Sequence, residues 1–324
     1  MTGAAPAAGG RVRPDDLRRL PALVVHGPAR RRRSPSPLAT TGLLSAVRPR
    51  QWAKNALVLT PLLPAAGSVD GQAVTGALVA FVAFCATASA VYLVNDVCDR
   101  EADRAHPVKR HRPIASGLVS CPQALTAAGL LAAAGFACAL TRGPGLLLVL
   151  LGYVVVQGAY CLGLKHEPVL ELACVTSGFL LRAVAGGLAA GIPLSHWFLL
   201  TAGFGSLFVA SGKRYGEALR GERTGAPVRL VVARYTSSYL RFVWALAATV
   251  VVATYLQWAT EVRAETGSVW SLVSCVPFVL AVLRYAVVID EGGGEEPDAA
   301  VLGSRTLLSL GAVWCMSLVL AVST

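Results

Sequence analysis

The sequence predicts an all-α polytopic membrane protein, a bundle of nine transmembrane helices. Three observations carry that prediction. The 324 residues are 55% hydrophobic and 15% charged, a balance that suits contact with lipid and excludes a soluble globule as the default. Nine apolar stretches recur along the chain, each near the ~20 residues that a helix needs to cross a hydrocarbon core. The basic residues collect in alternate connections, as the positive-inside rule requires of a correctly counted set of spans.

The stretches run over 45–66, 73–94, 123–141, 144–163, 168–190, 195–212, 239–259, 269–289 and 302–322. The first is the weakest, because Pro61 and Pro64 interrupt it and Arg48–Lys54 is polar. Ahead of it, residues 1–40 hold eight Arg, two Asp and six Pro without apolar periodicity, and read as a disordered basic tail. Residues 41–324 form the transmembrane domain. No aromatic is interleaved with Arg30–Arg33, so the run reads as a solvated or headgroup-facing tail, with no nucleic-acid partner expected. No apolar core precedes a small-residue cleavage site, so no signal peptide is visible.

Basic residues then test the count. One side holds 11 Lys or Arg through Lys54, five over 95–122, Lys165, seven over 213–241, and Arg284 with Arg305. The other has Arg142 and Arg263, while Arg182 lies inside the fifth span. The N-terminus and the basic face are therefore expected in the cytoplasm and the C-terminus outside, in a multi-pass cell-membrane protein. The eight cysteines are scattered singly, without zinc or redox spacing, and read as small core residues.

After the second span the chain reads Asn95-Asp96-Val97-Cys98-Asp99-Arg100-Glu101-Ala102-Asp103. Carboxylates at i, i+3 and i+7 share one face of a continuing helix and repel one another unless a cation sits among them. Hard oxygen donors select Mg²⁺, which typically takes one or two carboxylates and completes its shell with water and phosphate oxygens. Asp96 and Asp99 are about 4.5 Å apart along the axis and can share a metal, whereas Asp103, about 10 Å from Asp96, serves a second ion or orients a ligand. Arg104, His106, Lys109, Arg110, His111 and Arg112 follow at once, which points to a site for metal plus phosphate.

The pattern Asn-Asp-x-x-Asp-x-x-x-Asp, followed by Lys109-Arg110-His111-Arg112-Pro113 and Ile114-Ala115-Ser116-Gly117, resembles the first signature of the UbiA superfamily of intramembrane prenyltransferases. The resemblance implies a nine-helix UbiA-type bundle with a cytoplasm-facing cavity and Mg²⁺-bound diphosphate, Mn²⁺ serving as a substitute. Members with a prenyl diphosphate donor carry a second Asp-rich cluster after the fourth span. Here Tyr160 to Glu171 has Lys165 and Tyr160 near those positions, with Glu167 and Glu171 as the only acids. Together with Arg48 to Asn55, Ser177 to Ala183, Ser211 to Tyr215 and Arg234 to Phe242, this resembles the phosphoribosyl-transferring branch of the superfamily. That branch implies displacement of pyrophosphate from C1 of 5-phosphoribosyl 1-diphosphate (PRPP) by a polyprenyl (decaprenyl) phosphate. The product is a precursor for arabinan (arabinogalactan) in cell-wall biogenesis. A homotrimer is the assembly implied.

On that basis Asp96, Asp99 and Asp103 are the expected catalytic and metal residues, with Asn95 completing or positioning their shell. Lys109, Arg110 and Arg112 are candidates for the diphosphate or 5-phosphate, as is Arg104. Lys165 and Tyr160 are candidates for the other end of the sugar phosphate, and Lys54 for the acceptor phosphate. Arg182, a charge deep in a span, faces either the cavity or a structural partner, for which Glu171 is the candidate. Lys213 and Arg214 read as positive-inside residues, Trp52 and Tyr92 as interface anchors, and Asp290–Asp298 as a flexible cytoplasmic loop. A phosphomonoester is largely dianionic at neutral pH, so no general base is expected and no His is assigned one. The rivals are a UbiA-type prenyltransferase with a prenyl diphosphate donor and, further off, a transporter.

Overall fold

A computed structural model describes residues 37–323 except Ala66 and Ser68. The expected basic tail lies outside them save for its last four residues, which already open the first helix. The described residues contain no strand. The α-helices are α1 (Pro37–Val47), α2 (Gly71–Cys98), α3 (Arg100–Ala105), α4 (Cys121–Leu140), α5 (Pro144–Leu162), α6 (Leu170–Ala190), α7 (His196–Thr224), α8 (Ser237–Thr266), α9 (Trp270–Val273), α10 (Cys275–Asp290), α11 (Pro297–Leu302) and α12 (Arg305–Ser323). A 3-10 segment, Pro49–Leu62, joins α1 to α2.

Each of the nine apolar stretches carries helix, but not all alike. α2, α4, α5, α6, α8 and the α9–α10 pair are long and apolar enough to cross a hydrocarbon core, and α12 is apolar but shorter. α7 is long, yet Lys213, Arg214, Arg220 and Arg223 make its second half polar. The first stretch is no α-helix. Pro49 and Pro61 remove backbone donors from it, and its 14 residues wind as a 3-10 helix that rises about 28 Å.

Helix ends are closed by local chemistry. Asp70 accepts the Ala73 N–H ahead of α2, Ser120 and Gln123 form a capping box on α4, and Thr236 caps α8. Inside the bundle, small residues let backbones touch, as packing within a membrane favours. A Cβ on Gly186 of α6 would fall 1.8 Å from the Val58 carbonyl oxygen, so the 3-10 segment lies directly against α6. The acidic connection after α10 is packed, contrary to the flexible loop expected. Gly294 lies against the Gly212 carbonyl of α7, and Arg220 Nε donates to Glu295 Oε1 at 2.7 Å. Glycines on both sides permit that approach, and the sequence shows them only as a run.

Candidate active site

The acids gather where α2 ends. The helix does not continue unbroken: Asp99 caps it with φ −88 and ψ 5, and α3 starts afresh at Arg100. Asp96 is 2% exposed and Asp103 3%. Buried carboxylates need cations or donors, and three elements supply them. Arg48 Nη2 donates to Asp96 Oδ1 at 2.6 Å and to Oδ2 at 2.8 Å. Arg112 Nη1 bridges Asp103 Oδ2 at 2.7 Å and Asp96 Oδ1 at 3.2 Å. Lys165, in the turn after α5, donates to Asp99 Oδ1, and Asn95 Nδ2 donates to Asp99 Oδ2 at 3.2 Å.

Seven candidates are thus placed in or beside one web. Asp96, Asp103 and Arg112 form one half, and Asn95, Asp99 and Lys165 the other. Arg104 braces the loop that carries Arg112, donating to the Ala115 carbonyl at 2.9 Å and to Glu101 at 3.2 Å. Arg110 is exposed, and among the described residues its side chain donates to His111 alone, at 3.4 Å. Lys54, Lys109 and Tyr160 are half-buried and, among the described residues, form no side-chain hydrogen bond. His106 Nδ1 accepts the Val108 and Lys109 N–H groups, so it shapes the loop.

Arg182 sits apart, 5% exposed within α6. It donates to Asn55 Oδ1 at 2.8 Å, the Gly178 carbonyl at 2.6 Å and Tyr153 Oη at 3.4 Å. Its guanidinium also lies 5.1 to 5.7 Å from the Tyr153, Phe84 and Phe179 rings, at cation–π range. Glu171, the partner expected for it, belongs to Arg214, whose Nε and Nη2 donate to the two carboxylate oxygens at 2.8 Å each. Arg214, expected only to mark the basic face, is therefore also a buried cation that ties α7 to α6. Glu171 and Arg182 share a face of α6 in projection, but α7 brings the guanidinium that fits. Trp52 and Tyr92 are likewise drawn inward: Trp52 Nε1 donates to Ser89 Oγ at 3.1 Å, and Tyr92 lies under Arg48, 5.3 Å from ring centroid to guanidinium.

Among the described residues, two that are not glycine hold positive φ, and both adjoin the site. Arg48 has φ 57 and Val169 φ 68, conformations that each cost about 1–3 kcal/mol. Arg48 is held by Asp96. Val169, between the Lys165 turn and α6, donates its N–H to Tyr235 Oη at 2.6 Å. Burial pushes that phenol up from its ordinary value, so it stays a neutral hydroxyl. Sequence reasoning missed Arg48, 48 residues from its acid, and its signal was the Arg48-Pro49-Arg50 run before the first stretch.

No three histidine, cysteine or acidic side chains converge on a point among the described residues. Asp103 is turned to Arg112 and completes no three-acid cage with Asp96 and Asp99. The donor set fits a hard divalent ion that draws the rest of its shell from water and a substrate's phosphate oxygens. It does not fit a self-contained structural metal. Behind the 3-10 segment lies an apolar cavity of about 440 Å³, lined by Leu57, Phe179, Phe198, Tyr255, Trp258 and Trp314 among others. Its walls come from the 3-10 segment, α6, α7, α8, α10 and α12.

Comparison with known proteins agrees with this geometry. The chain is 48% identical over 298 residues to the decaprenyl-phosphate phosphoribosyltransferase of Corynebacterium glutamicum, covering 90% of each chain. It is 50% identical to that of Mycolicibacterium smegmatis, over 85% of this chain and 90% of the relative. Among solved structures, a UbiA homolog from Archaeoglobus fulgidus bound to GPP and Mg²⁺ superposes with a TM-score of 0.63 at 17% identity, over 87% of this chain and 99% of that one. The model of the UbiA prenyltransferase family matches residues 56–320. With the acids at the end of α2 and the bundle around them, that match shows that the chain belongs to the UbiA prenyltransferase family.

Proposed function

We propose that the chain transfers 5-phosphoribose from PRPP to a polyprenyl phosphate, decaprenyl phosphate being the one for which its relatives are named. One observation carries this: relatives about half identical over 85–90% of this chain bear the name decaprenyl-phosphate phosphoribosyltransferase. The bond from C1 to the diphosphate oxygen breaks, a bond from C1 to an oxygen of the lipid phosphate forms, and pyrophosphate leaves.

The chain's own residues support that assignment. After α5, where a second acidic patch would grip a prenyl diphosphate through metal, Lys165 stands on Asp99. The two acids of that stretch are engaged elsewhere, Glu171 by Arg214 and Glu167 by Arg234. A cation on this side contacts phosphate directly. Asp96 and Asp99 would hold Mg²⁺, or Mn²⁺ in its stead. When bound, the ion neutralises charge on the departing diphosphate. Asp103 aims Arg112, Lys109 and Arg110 offer further donors to the anion, and Arg104 holds their loop. Tyr160 faces the sugar phosphate beside Lys165. Lys54 takes the acceptor phosphate, and Arg182 serves it indirectly by fixing Asn55 on the same 3-10 segment. The apolar cavity takes part of the isoprenoid chain.

The topology belonging to this reading is nine crossings, the 3-10 segment being the first. The site opens to the cytoplasm of a cell-membrane protein, the N-terminus lies inside and the C-terminus outside, and the assembly is a homotrimer. Membranes containing the chain, incubated with labelled PRPP and decaprenyl phosphate, are expected to place label in an extractable lipid. Label remaining wholly in water-soluble products, with a prenyl diphosphate consumed instead, would overturn the assignment.

A further inference from the structure

The eight cysteines are all free thiols, expected to serve only as small core residues. Cys161 departs from that. It lies half-buried on the last turn of α5 and donates its S–H to Asn95 Oδ1, the sulfur 3.1 Å from the oxygen. Asn95 passes the contact on, its Nδ2 donating to Asp99 Oδ2 at 3.2 Å. Lys165, four residues after Cys161, donates to the other oxygen of the same carboxylate. The end of α5 and the turn that follows it therefore grip both ends of the Asn95–Asp99 pair where α2 ends.

Chemistry fixes the direction of this relay. A carboxylate accepts only, so Asn95 must present its NH₂ to Asp99, which aims its carbonyl oxygen at α5. Whatever stands there must donate, or a half-buried oxygen loses its partner. A thiol donates and an alkyl side chain does not. With the thiol gone, the amide is free to rotate away, which leaves Lys165 as the one side-chain donor held on Asp99 among the described residues.

We propose that Cys161 is a positioning residue: its S–H locks the Asn95 amide so that Asn95 orients the Asp99 carboxylate and does not itself ligate the metal. The proposal rests on the role given to Asp99 in the transfer reaction above. Groups that hold a ligand from behind set metal affinity as well as rate, which makes binding the discriminating readout.

The test is Mn²⁺ binding to the full chain in detergent with inorganic pyrophosphate, followed by electron paramagnetic resonance without turnover. Cys161→Ala is expected to weaken Mn²⁺ by about 10-fold, at the low end for such partners because a thiol donates weakly. Cys161→Ser keeps a donor and is expected to stay within about twofold, and in an Asn95→Ala background Cys161→Ala is expected to add nothing. Cys161→Val, close in shape and without a donor, repeats the comparison if the alanine variant fails to fold. Parental binding by the alanine and valine variants, a serine variant as weak as alanine, or additive losses with Asn95→Ala would each overturn the proposal. Lipid labelling separates the two claims. Labelled lipid with unaltered Mn²⁺ binding in Cys161→Ala removes this inference alone, whereas the Mn²⁺ pattern without labelled lipid removes the transfer reaction and keeps the positioning role.

Discussion

Asp99 differs from the other two aspartates in being partly open, with 28% of its side chain exposed against 2% for Asp96. An acid that both meets solvent and carries a lysine can pass that lysine's donors to an arriving anion while it takes a metal. Asp99→Asn is therefore expected to cut phosphoribosyl transfer by at least about 100-fold with the unfolding midpoint unchanged, since it removes charge without removing volume. Lys165→Ala is expected to raise the KM for PRPP by about 10- to 100-fold, the range of a hydrogen bond to a charged group. Steady-state assays on both variants check this, and a Lys165→Ala effect confined to the lipid acceptor would reassign the residue. The acids and Lys165 were legible in the sequence because helical spacing and an unusual substitution mark them. Arg48, Cys161 and Glu171–Arg214 were not, because each depends on which helix packs beside which, and no local pattern records that.

The 3-10 segment and α6 form the joint on which the acceptor side of the site depends. Arg182 bonds Asn55, the residue after Lys54, and Gly186 allows the Val58 carbonyl to rest on α6. Gly186→Ala must push the segment away, because its Cβ would sit 1.8 Å from that oxygen. The variant is expected to lose transfer and lower the unfolding midpoint. Gly152→Ala on α5, with nothing within 4 Å of the added methyl, is expected to leave transfer unchanged and to keep or slightly raise the midpoint. A second joint is the Arg214–Glu171 pair between α7 and α6. Breaking a buried pair strands a charge, so Arg214→Ala is expected to cost about 3–5 kcal/mol, while joint replacement by Met and Leu recovers most of it. Thermal unfolding in detergent measures both. Helix positions were readable from apolar runs, but the 3-10 winding was not: Pro61 marked a broken helix without stating what replaces it.

Across the molecule, most of the basic residues and the acids of the site fall in one set of alternate connections. The web at the end of α2, the Arg112 loop, the Lys165 turn and the polar half of α7 all lie in connections that the charge count assigns to the cytoplasm. Among the described residues six helices meet the length and hydropathy needed to cross, so nine crossings require α7, α12 and the 3-10 segment to cross as well. The parity of that count fixes the far end of the chain. With nine crossings and a cytoplasmic start, a reporter joined after Thr324 lies outside the cell and one joined within the 106–118 loop lies inside. Alkaline phosphatase, active only outside, is expected to be active at the first position and inactive at the second. Activity at neither position means an even number of crossings after α2, and the helices to doubt are then α7, whose second half is polar, and α12, which is apolar but shorter. Were the 3-10 stretch instead to dip in and return on the cytoplasmic side, α2 would run outward and carry the acids with it, so activity within the 106–118 loop and none after Thr324 is the result that would identify it.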